Sequence, residues 1–227
     1  MAAPIAVYLE VGPKRTFAGA IEWPGWSRSG RTEGDALGAL LRYADRYAKV
    51  AATAKVPFAP ASDGSEFAVV ERLPGNATTD FGAPGVPPGA DSRLVSGDEL
   101  KRVTSLLTAS WRIFDEIAAG ALGVELRKGP RGGGRDLPKI ESHVLEAEEA
   151  YLLRLGSRVP RLAASTVPAR TYEMSKAIVE TLAARALDRP IADPSAVEKR
   201  WSPRYFVRRA AWHVLDHAWE IEDRSAV

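Results

Sequence analysis

No cysteine occurs among the 227 residues. Disulfides, cysteine zinc knuckles and a cysteine nucleophile are therefore excluded, and the absence suits a reducing compartment. An excess of either charge is lacking too. The 31 Lys and Arg residues against 29 Asp and Glu leave a formal charge of +2, which argues against a dedicated nucleic-acid or membrane-surface protein. No stretch approaches the roughly 20 apolar residues of a membrane span. Residues 1–10 lack the basic start and long apolar run of a secretory signal. The expectation is a soluble, cytoplasmic chain without a membrane partner.

What is there falls into three parts. Val7, Leu9 and Val11 alternate with other residues as in a half-buried strand, and 16–23 continues as a second strand after the Gly12-Pro13-Lys14-Arg15 turn. From 33 to about 54, Ala36, Leu37, Leu40, Leu41, Ala44, Tyr47 and Ala51 keep one helical face. A third strand is predicted over 67–73. Residues 76–95 are rich in proline, glycine and small polar residues and mark a boundary. Phe81 within them predicts that part of the segment packs down, and Asn76 to Gly82 is a candidate lid.

Four helices are predicted beyond it. The first opens at Ser96, with Glu99 completing a capping box, and carries Leu100, Val103, Leu107, Trp111, Phe114 and Ile117 on one stripe. The others span about 136–155, 169–187 and 202–224, the last with Pro203 at its first position. Gly132-Gly133-Gly134 reads as an inter-helix loop. The fold class is thus an α+β module over 1–75, a connecting segment over 76–95 and an all-α four-helix bundle over 96–227.

Histidine is scarce, and its placement carries the chemistry. His143 lies in the second of these helices, and His213 and His217 are one turn apart in the fourth. A step of about 100° per residue sends both of the latter from one face. Ala147 and Ala150 leave room beside His143. Three imidazoles without an obvious fourth protein ligand suit a metal site with one open position, zinc or nickel being the expected ion. Glu146 and Asp216 are the nearest carboxylates to orient the rings, and Arg209 is a further candidate for holding ligand or substrate.

Residues 136–153, Asp136-Leu-Pro-Lys-Ile-Glu-Ser-His143 onward, and 208–224, with Arg208-Arg-Ala-Ala-Trp-His213-Val-Leu-Asp-His217, resemble the DinB/YfiT-type helical-bundle superfamily. The resemblance covers about 96–225. Arg135-Asp136-Leu137-Pro138 stands where the family often has tryptophan followed by serine or threonine. Membership implies that His143, His213 and His217 bind a divalent metal. It also implies an activity class, metal-dependent S-transfer to or isomerisation with a low-molecular-weight thiol such as mycothiol or bacillithiol.

The stretch Thr16-Phe-Ala-Gly-Ala-Ile-Glu-Trp-Pro-Gly-Trp26 with Gly30-Arg-Thr-Glu-Gly-Asp-Ala-Leu37 is similar to HicB-like antitoxin domains. That resemblance implies a degenerate RNase H-like fold used for binding. Glu10, Glu22 and Asp35 are read as surface carboxylates rather than a remnant acidic site. Two functions stay open: a metal-dependent thiol transferase or isomerase, and a non-catalytic binding or sensing protein with a structural or vestigial metal site. A protein partner or a homodimer is compatible with either.

Overall fold

In a computed structural model, which describes residues 4–95, 97–128, 134–159 and 167–225, the chain has a mixed α+β architecture. The apolar residues of β1 (Ile5–Val11) pair with β2 (Thr16–Ala20) antiparallel and with β4 (Phe67–Pro74) parallel. β3 (Ser27–Gly30) completes a four-stranded sheet of order β3-β2-β1-β4. Alternation in β1 is less simple than its sequence predicts. Val7, Tyr8, Leu9 and Glu10 are all buried, and Val11 is 37% exposed. The strand is interior to the sheet and covered on both faces, so both side-chain sets leave water.

Two helices cover one face. The 33–54 helix is broken at Tyr43 (φ −98°, ψ 4°) into α1 (Glu33–Arg42) and α2 (Ala44–Thr53). Thr32 and Asp35 form a reciprocal capping box at the start of α1. The break turns Tyr43 towards Trp219, 4.9 Å between ring centroids, while Tyr47 stacks on Trp26 at 5.6 Å. Val7, Leu9, Ala18 and Ala20 share one core with Ala36, Leu40, Tyr47 and Val50.

The connecting residues include a short helix, α3 (Ala77–Phe81), capped by Asn76, and a single 3-10 turn at Gly89–Ser92. Phe81 does not dock the segment; it is 85% exposed. Buried Glu10 does so instead. It accepts hydrogen bonds from the Thr79 hydroxyl and from the backbone N–H groups of Gly85 (2.9 Å) and Val86 (3.1 Å). A carboxylate satisfied by backbone donors anchors a loop more firmly than one exposed ring.

Four long helices follow: α4 (Gly97–Gly120), α5 (Leu137–Leu155), α6 (Val167–Ala186) and α7 (Pro203–Ser225). Leu107, Phe114, Ile140, Leu152, Ile178, Leu182, Phe206 and Val214 meet in their common core. α7 is apolar around most of its circumference and is buried accordingly. Its Phe206, Ala210, Val214 and Ile221 enter the helical core, while Leu215 and Trp219 enter the sheet core. Ser96 and the loop residues Gly132 and Gly133 lie outside the described residues. Among the described residues no helix is long and apolar enough to cross a membrane.

Candidate metal centre

The phase of α5 is set by its first turn. Asp136 accepts from the Lys139 N–H at 3.0 Å, with Pro138 beside it in the first turn. Ile140 and Val144 then enter the core, and His143 emerges half-buried towards α7. In α7, Ser202 accepts from the Tyr205 N–H at 3.2 Å. His213 and His217 follow on one buried face.

The three imidazoles meet. Nε2 of His213 lies 3.3 Å from Nε2 of His143, and one ligand atom from each histidine lies within 4.8 Å of the others. The rings stand steeply to one another, at 63° to 88°, with centroids 4.7–5.1 Å apart. Burial holds the His213 ring well below the usual histidine range, helped by the neighbouring His217 and by Arg209. Burial also lowers His143, with Arg135 adding to it. Both rings are therefore neutral at pH 7 and have a lone pair to donate. Nδ1 of His213 is buried and has no hydrogen-bond partner among the described residues.

His217 is oriented by Glu220. Its Nδ1 lies 2.8 Å from Oε2 of that carboxylate, whose other oxygen accepts from Arg224 at 2.7 Å. A proton on Nδ1 leaves Nε2 of His217 as the free ligand atom. The bond to His217 holds the Glu220 carboxyl below its ordinary range. The sequence expectation gives the orienting role to Asp216 and Glu146 and does not name Glu220 for it. Asp216 instead pairs with Arg28 of β3 at 2.8 Å, and Glu146 is exposed. The physical reason is helical phase: Asp216 is about 100° from His217, whereas the i,i+3 position of Glu220 returns to its side.

Arg209 lies one turn before His213. Its guanidinium stands 4.7 Å from the Trp212 ring centroid and 5.6 Å from that of Tyr151. Tyr151 in turn packs edge-on against the His213 ring at 5.7 Å. The candidate lid engages β1 and its following turn: Thr79 bonds Glu10, and Asp80 accepts from the Lys14 N–H at 2.8 Å. The three N-terminal carboxylates are dispersed in role. Glu10 is buried under the connecting segment, Glu22 pairs with Arg93 at 3.0 Å, and Asp35 caps α1. Glu10 is thus no surface carboxylate, because its partners 69 to 76 residues away cover it.

Comparison with family models, with curated proteins and with solved structures finds no match for this chain.

Proposed function

We propose that the chain is a divalent-metal protein of DinB type. In this reading α4 to α7 form a four-helix bundle over about 96–225, and His143, His213 and His217 hold zinc or nickel. The activity is that of a low-molecular-weight-thiol S-transferase or isomerase. The observation that carries the reading is the convergence of the three histidines, their ligand atoms within 4.8 Å of one another. The donor set fits such an ion: neutral imidazoles suit zinc and nickel, and two of the ring nitrogens already stand 3.3 Å apart. When bound, the ion would lower the pKa of a substrate thiol and favour its thiolate, chemistry that a chain without cysteine would otherwise lack. Glu220 fixes the His217 ring, Tyr151 packs on His213, and Arg209 sets a positive charge beside them. The N-terminal residues to about 75 form the HicB-like module of this reading and act by binding, since Glu10, Glu22 and Asp35 are each engaged in holding the fold.

The test is metal analysis of purified protein together with His217→Ala. Wild type is expected to carry zinc or nickel and to turn over mycothiol, bacillithiol or glutathione with a suitable electrophile. His217→Ala is expected to lose both while keeping its circular dichroism, because Phe206, Val214 and Ile221 still pack α7. Wild-type protein that takes up neither ion refutes the metal reading.

One observation favours a second reading, a binding or sensing protein with a structural or vestigial metal site. Among the described residues the one carboxylate hydrogen-bonded to the cluster is Glu220, and Arg224 already engages it. Metal uptake without turnover, or unfolding of His217→Ala on losing its ion, supports this alternative.

A further inference from the structure

Beside the histidine cluster lies a cavity of about 570 Å³, lined on one side by Gly85, Pro87, Pro88, Gly89 and Ser92 of the connecting segment. Tyr151, Trp201 and Tyr205 form an aromatic wall, with neighbouring ring centroids 5.2 and 4.9 Å apart. Its volume falls in the range of pockets that take small organic molecules.

The charge of its lining is one-sided. Arg209, Arg200 and Lys199 all line it, and among the described residues none of the three pairs with a carboxylate. Among the described residues Asp91 is the sole acidic one in the lining, and both its oxygens are taken by Arg208, at 2.7 and 2.8 Å. Nη1 of Arg209 is buried without a hydrogen-bond partner. Arg209 lines the cavity without a carboxylate partner, its guanidinium held against Trp212 and Tyr151, and so sets an uncompensated positive charge there for an acceptor. Arg200 and Lys199 are exposed and stand where they would attract an anion from solvent.

The geometry points to this cavity as the binding site for an organic anion, a carboxylate or phosphate ester with a planar apolar body, anchored through its charged group by Arg209. As the substrate pocket of the proposed reaction, this inference rests on the metal reading of the three histidines; anion binding itself does not. Tyr151 and Arg209 are the elements shared between cavity and cluster: one packs on His213, and the other lies one helical turn before it. The body of the anion would pack on Trp201 and Tyr205, beneath the backbone that Glu10 ties down.

Four probes of one size test it on the full-length protein: benzoate, phenyl phosphate, benzyl alcohol and benzylamine, titrated by calorimetry and by tryptophan fluorescence. Benzoate, phenyl phosphate or both are expected to bind at least about 10-fold more tightly than the neutral and cationic probes, and less tightly as sodium chloride rises. The ratio between the two anions identifies carboxylate or phosphate as the preferred group. Arg209→Gln is expected to abolish the preference and Arg209→Lys to keep part of it. Should Arg209→Gln not fold, the exposed double variant Lys199→Gln, Arg200→Gln serves instead, with a loss of at least about 3-fold. Equal binding of all four probes, no saturable binding, or a preference untouched in the folded variant overturns the proposal. His217→Ala, treated with chelator, should keep anion selectivity. Anion selectivity without metal uptake by wild type thus fails the metal reading alone, and metal uptake without selectivity fails this one alone.

Discussion

Glu220 bridges His217 and Arg224, accepting from the imidazole with one oxygen at 2.8 Å and from the guanidinium with the other at 2.7 Å. The carboxylate therefore sets both the tautomer and the orientation of a ring that faces His143 and His213. Removing such a support typically weakens metal binding by roughly 10–100-fold. Glu220→Ala should show that loss in zinc or nickel titrations with circular dichroism unchanged, whereas Asp216→Ala should leave affinity within about 3-fold, since Asp216 holds Arg28 instead. Equal effects of the two would show that neither orients the site.

The buried pair of Arg208 and Asp91 fastens α7 to the sheet and to the connecting segment. Arg208 donates to both Asp91 oxygens and, at 2.8 Å each, to the carbonyls of Ala20 and Ile21, and both side chains are almost wholly buried. Neutralising one member strands the other, at a cost of about 3–5 kcal/mol. Asp91→Asn should lower the urea midpoint accordingly and speed proteolysis between Leu73 and Ser96. Unchanged cleavage with lowered stability would show that the pair braces α7 but does not hold the segment.

A turn that the sequence marks by Pro24-Gly25 has a second role, visible only in three dimensions. Gly25 adopts φ +93°, and a Cβ there would come 2.8 Å from Leu215 Cδ1 and 3.1 Å from Ala211 Cβ. Gly25→Ala should cost about 1–2 kcal/mol for the left-handed backbone, with overpacking against α7 added. Gly64→Ala, where a Cβ meets nothing within 4 Å, is the matched control and should be neutral by chemical denaturation.

The long helices were legible because their apolar periodicity and caps are local signals. Asp136 with Pro138 and the pair Ser202-Pro203 set α5 and α7 close to their expected starts, and the phase of each helix aimed the histidines. β3 was not legible: Ser27-Arg28-Ser29-Gly30 carries no apolar alternation and becomes a strand by pairing with β2. The break at Tyr43 was hidden because the apolar spacing runs through it. The partners of Glu10 and Arg208 were beyond reach for another reason. They lie 69 to 188 residues away, where local pattern carries no information. Glu220 could have been found, since an acidic residue at i+3 from a buried histidine is a local signal.

Glu148 makes stability depend on pH in a direction opposite to an ordinary surface carboxylate. It is buried between α5 and α4, where the Trp111 indole N–H donates to it, and burial pushes its pKa up to about 7 against that bond, with nearby Asp115 adding to the rise. The folded chain thus keeps a proton that the unfolded chain releases near the ordinary carboxylate value of about 4.5. Between those values the unfolded state binds fewer protons, so the contribution of Glu148 to stability is largest below about 4.5, falls as pH rises, and levels off above about 7. The full change is on the order of 3 kcal/mol. Glu148→Gln keeps an acceptor for Trp111 and removes the charge. Urea unfolding at pH 5 and pH 8 should therefore show the variant gaining on wild type at the higher pH, by up to about that amount. An equal difference between the two proteins at both pH values would show that Glu148 does not change protonation in this window.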